Sequence, residues 1–301
     1  RVPLKAMVTT PSCVPAVTGV EDTGSSIDAT QVAETMSWDN VVGLGEMMNF
    51  PGILAGEENA LGEVSSTLAA DKRATGHYTM PETDRGLNAY IASGVSTCHE
   101  SARLEDVIAK LRLGMYVQLR QGSAWHNLPA YLPGLLESGV DLRHCTLCSD
   151  DNHPQTLVGD GHMDRILRLA VELGCDPVTA IQMCTLNCAE YFGLGADMGS
   201  ITPGMCADIV LLDDLKDFFA RKVLIDGEVV ADNGHALFEV APRDWPNWMT
   251  HTMSLNLKPT AETFALRVNR PDGVTRVRAM GIEPGQTITK DIVVEIPMRD
   301  G

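Results

Sequence analysis

Four short apolar segments of this sequence end in side chains that can bind a metal ion or transfer a proton. Their terminal residues are Glu46, His77, His99 with Glu100, and Asp150. Imidazole nitrogens and carboxylate oxygens are ligands for Zn, Mn and Fe. A metal held by such groups activates water near neutral pH, and a neighbouring carboxylate can take the proton and deliver it to a leaving group. The residue types therefore predict metal-assisted hydrolysis.

Parallel strands are the simplest structure that would bring these segments together, because parallel α/β sheets collect polar groups at the carboxyl edge of the strands. The four strand-like stretches, residues 41–46, 73–77, 95–100 and 145–148, are short and apolar, and stretches with helical periodicity separate them. The alternation predicts a parallel sheet with helices packed outside it.

The predicted elements together indicate a partial barrel. Further strands at residues 5–13 and 115–121 bring the α/β part to about six. Helices are predicted at residues 28–36, 59–68, 83–93, 104–113, 128–138, 161–173 and 177–192. A closed (β/α)8 barrel of the TIM type needs eight strands. We therefore expect residues 1–196 to form an incomplete barrel whose missing strands lie before Arg1.

Two smaller regions follow the predicted barrel. Residues 197–241 are typical of a small β-sandwich module, with Asp226-Gly227 as a hairpin turn. Residues 242–301 differ in composition, with two Trp and several Pro, and strands are predicted at 263–268 and 291–296. We expect this last stretch to be the start of a further C-terminal domain.

The composition of the 301 residues excludes several classes of partner. A formal net charge of −17 argues against nucleic acid. The sequence has no run of eighteen apolar residues and no secretory signal, so we expect no membrane span.

Most of the eight cysteines lie in apolar runs, which is typical of proteins of the reducing cytoplasm. Cys145 and Cys148 form a C-x-x-C pair, but a strand would point their thiols to opposite faces, against a redox or zinc role.

Each candidate residue also has a purely structural explanation. Glu46 lies in an apolar setting and could form an ion pair instead of binding a metal. His77 follows a glycine and could be an ordinary loop histidine. His99 and Glu100 could cap a helix together, and Asp150 could cap the turn that follows it.

Several motifs resemble those of the adenine deaminases, within the amidohydrolase superfamily, over the region from about Pro11 to Gly234. The matching stretches are Pro-Ser-Cys-Val-Pro-Ala (11–16), Gly-Leu-Gly-Glu-Met-Met-Asn-Phe-Pro-Gly (43–52), Leu-Asn-Ala-Tyr-Ile-Ala-Ser-Gly (87–94), Cys-His-Glu (98–100), Cys-Ser-Asp-Asp-Asn-His-Pro (148–154), Asp-Gly-His-Met-Asp (160–164) and Pro-Gly-Met-Cys-Ala-Asp-Ile-Val-Leu-Leu-Asp-Asp-Leu (203–215). The resemblance implies a metal-dependent (β/α)8 barrel that hydrolyses adenine to hypoxanthine and ammonia in purine salvage. It also implies a homodimer and a C-terminal domain of the adenine deaminase type.

The same resemblance implies roles for individual residues. Glu46 would bridge two metal ions, and His77 and His99 would be ligands. Asp150 would be a further ligand that holds the attacking hydroxide and relays its proton, and Glu100 would be a second acid or base. The site would be binuclear, with Mn or Fe, or alternatively Zn.

A substrate loop and two departures complete the resemblance. The stretch Arg120-Gln-Gly-Ser123 and the nearby Asp151 resemble residues that contact the purine, with Gln121 where many members carry Glu. The family's first strand ends in a His-x-His pair of metal ligands, and this sequence contains no such pair. We therefore expect this chain alone to hold at most half of the metal cage and not to be fully active. The residues after His77 also differ from the family's Pro-Gly-Leu, which leaves the exact substrate open.

Three hypotheses about function follow. The favoured one is hydrolytic deamination of adenine. A second is another amidohydrolase reaction, on a cyclic amide or a different heterocycle. A third is a non-catalytic protein that keeps the fold as a binding module.

Overall fold

The computed structural model describes residues 2–17, 19, 21, 23–267, 271–283 and 287–298. The chain divides into two compact units, one formed by Pro3–Phe238 and the other by Glu239–Gly301 with Arg1–Val2. The larger unit contains every candidate site residue. Within the described part of the chain, no helix is both long and apolar enough to cross a bilayer.

Strands and helices alternate through most of the larger unit. The strands of its α/β part are β1 (Val8–Thr10), β2 (Val41–Met47), β3 (Arg73–Gly76), β4 (Thr97–Cys98), β5 (Tyr116–Arg120) and β6 (Cys145–Cys148). Its helices are α1 (Ala29–Thr35), α2 (Phe50–Ala55), α3 (Glu58–Ala69), α4 (Arg85–Ala92), α5 (Leu104–Arg112), α6 (Leu128–Glu137), α7 (Pro154–Gly159), α8 (Met163–Glu172), α9 (Pro177–Cys184) and α10 (Leu186–Tyr191), with a 3₁₀ helix at Leu142–His144.

The six strands run parallel and present their carboxyl ends at one edge. β1, β2 and β3 pair in this order, and so do β4, β5 and β6. A parallel bridge between Ala74 and Val95 joins the two groups. Among the residues described, no pairing leads from β6 back to β1, so the barrel is not closed. The predicted parallel α/β fold is confirmed, and its completion to eight strands stays a prediction.

Two apolar clusters hold the helices against the sheet. In the first, Val32 of α1, Val64 of α3 and Leu87 of α4 are buried together with Leu44 of β2. The second lies around β5, β6, α6 and α8, and its fully buried members include Val117, Leu119, Leu132 and Ile166. Burying a side chain of this size contributes about 1.5–3 kcal/mol, so these clusters fix which strand each helix covers.

Helix boundaries follow local signals, with one exception. The Asp28 carboxylate accepts the backbone N–H groups of Thr30 and Gln31, each at 2.9 Å, and the Gln31 side chain accepts from the Asp28 N–H in return. The single helix predicted over 177–192 is wrong, because Thr185 takes a non-helical conformation (φ −128°, ψ −84°) that separates α9 from α10. Helices α2 and α7 were not predicted, since six residues are too few to show periodicity.

A small antiparallel sheet follows the α/β part. It consists of β7 (Ile209–Leu212), β8 (Ala220–Ile225), β9 (Glu228–Asp232) and β10 (His235–Ala236), paired in the order β10-β9-β8-β7. The predicted hairpin turn joins β8 to β9, with φ of 52° at Asp226 and 82° at Gly227. Two positive φ angles are what a type I′ turn requires.

The smaller unit contains helix α11 (Asn247–Thr250), a 3₁₀ helix at Ala261–Phe264 and the hairpin of β11 (Gly273–Gly281) with β12 (Lys290–Met298). The strand predicted at 291–296 is confirmed as part of β12, whereas β11 was missed. The strand predicted at 263–268 is wrong, because the Thr260 N–H donates to the Thr263 hydroxyl at 3.0 Å and the chain turns there. Val268 lies outside the described residues.

Candidate metal centre

Three candidate ligands lie at the carboxyl ends of three neighbouring strands. Glu46 is the second-last residue of β2, His77 directly follows β3, and His99 directly follows β4. Because β2, β3 and β4 are neighbours in the parallel order, residues far apart in sequence arrive side by side. The loop after β1 also holds the backbone of Glu46, since the Ser12 hydroxyl and the Cys13 thiol donate to its carbonyl at 2.6 and 3.0 Å.

The ligand atoms of these three residues converge on one point. Glu46 Oε2 lies 2.8 Å from His77 Nδ1 and 2.9 Å from His99 Nε2. The two imidazole nitrogens are 3.2 Å apart. The three atoms lie within hydrogen-bond distance of one another, and each can offer a lone pair to a metal ion when the two nitrogens carry no proton.

These distances fit a divalent transition metal. Bonds of about 2.1 Å at angles of roughly 90–110° separate neighbouring ligand atoms by about 3.0–3.4 Å, close to the spacing of this triad. Two imidazoles and one carboxylate also match the preferences of Zn, Mn and Fe. With neutral imidazoles, the carboxylates of Glu46, Glu100 and Asp150 and the Arg120 guanidinium give a formal net charge of −2, which a divalent cation neutralises.

The two histidines also tune the carboxylate between them. Hydrogen bonds from His77 and then His99 hold the pKa of the Glu46 carboxyl well below its usual range, against the opposing effect of partial burial. The side chain keeps 42% of its surface exposed. Glu46 therefore stays ionised through neutral pH and remains accessible from the cavity beside it.

Arg120 links the two remaining acidic candidates. Its guanidinium forms a bidentate ion pair with Glu100, through Nη1 to Oε1 and through Nη2 to Oε2 at 3.2 Å. Nη1 also donates to Asp150 Oδ2 at 3.2 Å, and Nε donates to Asn127 Oδ1 at 3.0 Å. The Arg120 side chain is only 1% exposed. The carboxylates of Glu100 and Asp150 raise the pKa of Arg120 above its usual value although burial works in the opposite direction.

Asp150 faces both this ion pair and the ligand triad. Its Oδ1 atom lies 3.8 Å from His99 Nε2. Its φ of 55° is in the left-handed region, which aspartate tolerates better than most residues. Asp150, Glu46 and His99 all line a cavity of about 370 Å³, which lies within the range of about 300–1,000 Å³ that is usual for small-molecule sites.

The other sequence-derived candidates lie around this group. The imidazole of His77 brings Nε2 to 3.7 Å from Glu100 Oε1, so Glu100 lies beside both histidines and Arg120. Ser123 joins the loop after β5 to the loop after β6, because its hydroxyl accepts the His153 N–H at 2.9 Å. Asp151 is exposed. Arg120, Ser123 and Asp151 are not among the described residues that line the cavity, and their assignment to substrate binding stays a prediction.

Of the structural explanations, the capping of a helix by His99 and Glu100 does not match the observed contacts. Glu46 does pair with two side chains, but both are histidines, which can also bind a metal. The N-terminal turn of α5 is capped by the Asp106 carboxylate, which accepts the Arg103 N–H at 3.3 Å, and not by His99 or Glu100.

The cysteines are free thiols, and burial raises the pKa of Cys145 to about 12 and that of Cys148 further still. Such thiols are poor metal ligands and nucleophiles.

Sequence reasoning missed two residues that contact the backbone of this site. Tyr90 of α4 and Lys110 of α5 are both fully buried polar residues beside the loops that carry the ligands. One signal was available for Lys110, which lies three residues after Val107 on the apolar face of a helix, where a charged side chain needs a partner. Nothing in the sequence distinguishes Tyr90 from an ordinary core residue.

Comparisons with known proteins agree with this geometry. Residues 2–230 match the sequence model of the Amidohydrolase family. A protein from Clostridium botulinum (strain 657 / Type Ba4) named adenine deaminase is 51% identical over 298 residues, covering 99% of this chain and 50% of that protein. One from Moorella thermoacetica with the same name is 46% identical over 303 residues, covering 100% of this chain and 50% of that protein. The chain thus spans about half the length of the curated relatives it matches.

A solved structure supports the fold. The crystal structure of a beta-aspartyl dipeptidase from Fervidobacterium islandicum AW-1 superposes with a TM-score of 0.53 at 16% identity, covering 70% of this chain and 62% of that one. At this identity the match concerns the arrangement of strands and helices alone. Since the family model covers most of the chain, from the first described strand to the small antiparallel sheet, the protein belongs to the amidohydrolase family.

Proposed function

We propose that the full-length protein is a metal-dependent aminohydrolase that converts adenine to hypoxanthine and ammonia. The single observation that carries the metal dependence is the convergence of Glu46, His77 and His99 on one point. The substrate is inferred from relatives named adenine deaminase that are about half identical over nearly the whole of this chain.

A divalent metal at this site would supply the Lewis acidity that makes water nucleophilic near neutral pH. Two imidazoles and a carboxylate suit Mn or Fe, and also Zn. Glu46 has a second carboxylate oxygen beyond the one that faces the histidines, so it is suited to bridging two ions. We therefore propose a binuclear site in the full-length protein, with Glu46 as the shared ligand.

The acidic residues would move the protons of the reaction. Water adds to C6 of the purine, the bond from C6 to the amino nitrogen breaks, and ammonia leaves after gaining a proton. Asp150 lines the cavity and lies 3.8 Å from His99, so it can take the proton of the water and deliver it to the amino group. Glu100 is held by Arg120 beside both histidines, where we propose that it serves as a second acid or base.

The test compares variants of the full-length protein supplied with Mn²⁺ and adenine. For Asp150→Asn we expect hypoxanthine formation to fall by about 100-fold or more, because general acid–base catalysis contributes about 10²–10⁴-fold. Asp39→Asn is the matched control, since Asp39 is exposed and in a turn away from the cavity. Activity of Asp150→Asn near that of the control would mean that Asp150 does not transfer the proton.

Substrate class is tested separately by ammonia release over a panel of purines, pyrimidines and cyclic amides. Preference for adenine supports the proposal. Turnover of another member alone would assign a different amidohydrolase reaction, and metal binding without any turnover would favour a binding module.

Three broader expectations remain part of this proposal. The eight free thiols favour a reducing compartment, the cytoplasm. Residues 1–196 would belong to a (β/α)8 barrel, 197–241 to a small β module and 242–301 to a C-terminal domain. The protein would form a homodimer, which light scattering during size-exclusion chromatography measures.

A further inference from the structure

Two buried side chains, Tyr90 and Lys110, contact the backbone beside each of the three candidate ligands. Tyr90 extends from α4 and is 0% exposed, and Lys110 extends from α5 and is 2% exposed. Neither reaches the ligand atoms. Most of their hydrogen bonds go instead to main-chain groups at the strand ends or directly after them.

Tyr90 joins the ends of β2 and β3. Its hydroxyl donates to the carbonyl of Met47 at 2.7 Å and accepts the backbone N–H of His77 at 3.0 Å. Met47 directly follows Glu46. One hydroxyl group therefore sets the distance between the backbone that carries the bridging carboxylate and the backbone that carries the first imidazole.

Lys110 joins the loops after β3 and β4. Its ammonium donates to the carbonyls of Tyr78 at 3.1 Å and Glu100 at 2.5 Å, and to the Ser101 hydroxyl at 3.0 Å. Tyr78 directly follows His77, and Glu100 directly follows His99. The remaining contact of the ammonium is the Cys98 thiol at 3.3 Å. All of these partners are neutral groups, so the buried charge is stabilised by the dipoles of the two loops.

Gly76 leaves room for this arrangement. A Cβ atom at this position would lie 2.7 Å from the Tyr90 hydroxyl and 2.5 Å from a methyl group of Val95. Both distances are too short for a real side chain. The glycine before His77 thus allows α4 to bring its hydroxyl against the strand end.

We propose that Tyr90 and Lys110 are positioning residues that fix the spacing of Glu46, His77 and His99 for a divalent metal. The inference rests on the metal site proposed above. Together the two side chains connect the backbones of all three ligands. Tyr90 links Met47, next to Glu46, to His77. Lys110 links Tyr78, next to His77, to Glu100, next to His99. Loss of the Tyr90 hydroxyl removes a donor from the Met47 carbonyl and an acceptor from the His77 N–H. Loss of the Lys110 ammonium leaves the Tyr78 and Glu100 carbonyls with the weaker Cys98 thiol donor at 3.7 and 3.6 Å. Either change frees one strand end to shift relative to the next.

The experiment measures the dissociation constant for Mn²⁺ in the full-length protein by equilibrium titration, without any substrate. The variants are Tyr90→Phe, which removes one oxygen atom, and Lys110→Met, which keeps the length of the side chain. For each we expect the dissociation constant to rise by about 10–100-fold, as is usual when groups that orient metal ligands are lost.

Tyr191→Phe is the matched control. The Tyr191 hydroxyl is also buried, and it donates to the carbonyl of Ala74 at 3.2 Å, at the opposite end of β3 from His77. The Tyr191→Phe variant removes the same kind of hydrogen bond from the same strand, so it should lose about as much thermal stability as Tyr90→Phe. We expect its dissociation constant for Mn²⁺ to stay within about twofold of the wild-type value.

Each outcome decides the inference. Weaker binding in Tyr90→Phe with unchanged binding in Tyr191→Phe supports it, even if Lys110→Met fails to fold. Wild-type affinity in Tyr90→Phe, or equal weakening in Tyr191→Phe, overturns it while leaving the metal site intact. A wild-type protein that does not bind Mn²⁺ overturns the metal site and the inference together.

Discussion

At the level of single residues, the acidic groups of the site differ in their partners. Glu46 lies between two imidazoles, and the hydrogen bonds from His77 and His99 keep the pKa of its carboxyl well below the usual range. Asp150 and Glu100 instead share the guanidinium of Arg120. This division separates a carboxylate placed to bind a metal from two carboxylates oriented by Arg120, which we propose move the protons.

Arg120 provides the sharpest prediction at this scale, because its contacts favour a role that differs from substrate binding. All of its side-chain hydrogen bonds go to Glu100, Asp150 and Asn127. In Arg120→Lys a single ammonium replaces the bidentate fork, so both carboxylates lose their fixed orientation. We expect kcat for adenine to fall by about 10–100-fold while KM changes by less than about threefold.

The control and the opposite outcome are equally specific. Arg103→Lys alters an arginine that pairs with Asp106 at the start of α5, and its kinetic constants should match the wild type. A rise in KM with little change in kcat would instead assign Arg120 to binding the purine.

The candidate ligands could be predicted from the sequence because their signal is local. Glu46, His77, His99 and Asp150 each end or follow a short apolar strand, and the carboxyl ends of parallel strands must meet. The partners of Arg120, and the roles of Tyr90 and Lys110, depend on which helix packs on which strand. No local pattern encodes that packing.

At the level of elements, short loops between strands and helices keep the site compact. β2 passes into α2 through Asn49, whose side chain accepts the Gly52 N–H at 3.0 Å and donates to Glu57 Oε2 at 2.6 Å. The same carboxylate-rich region includes Glu63, which faces inward from α3 and is buried. The short helices α2 and α7 escaped prediction because six residues are too few to show periodicity. The break between α9 and α10 escaped it because it depends on the backbone conformation of one residue, Thr185.

Glu63 makes the stability of this region dependent on pH. Burial raises the pKa of its carboxyl from 4.5 to about 7, the nearby Glu57 and Asp28 add to the rise, and the hydrogen bond from Asn59 opposes it. Between these two values the folded state keeps a proton that the unfolded state has lost. The contribution of Glu63 to stability is therefore greatest below about pH 4.5 and declines as the pH rises to about 7.

The variant Glu63→Gln cannot ionise and keeps an oxygen for Asn59. We expect it to raise the melting temperature relative to wild type by on the order of 5 °C more at pH 8 than at pH 5. Glu58→Gln, on the exposed face of the same helix, is the control and should show no such difference. An equal effect of Glu63→Gln at both pH values would show that the folded protein does not hold the extra proton.

At the level of the whole molecule, the parallel order of β2, β3 and β4 is what makes a metal site out of residues spread over more than fifty positions. The larger unit, Pro3–Phe238, supplies the complete Glu46–His77–His99 triad and the cavity beside it. The sequence predicted this parallel architecture because helical and strand-like stretches alternate. A closed barrel of the TIM type would need strands beyond these six of the described residues, so the parallel order alone does not predict its closure.

The proposed function depends on a divalent metal held by the Glu46–His77–His99 triad. Its most direct test is a crystal of the full-length protein grown with Mn²⁺, with anomalous diffraction recorded on both sides of the Mn absorption edge. We predict an anomalous peak in direct contact with Glu46 Oε2, His77 Nδ1 and His99 Nε2, at about 2.0–2.3 Å from each. The peak should disappear in His77→Asn and persist in His235→Asn, which alters an exposed histidine of β10. Absence of a peak at the triad in Mn²⁺-loaded wild-type crystals would show that these three residues do not hold the metal.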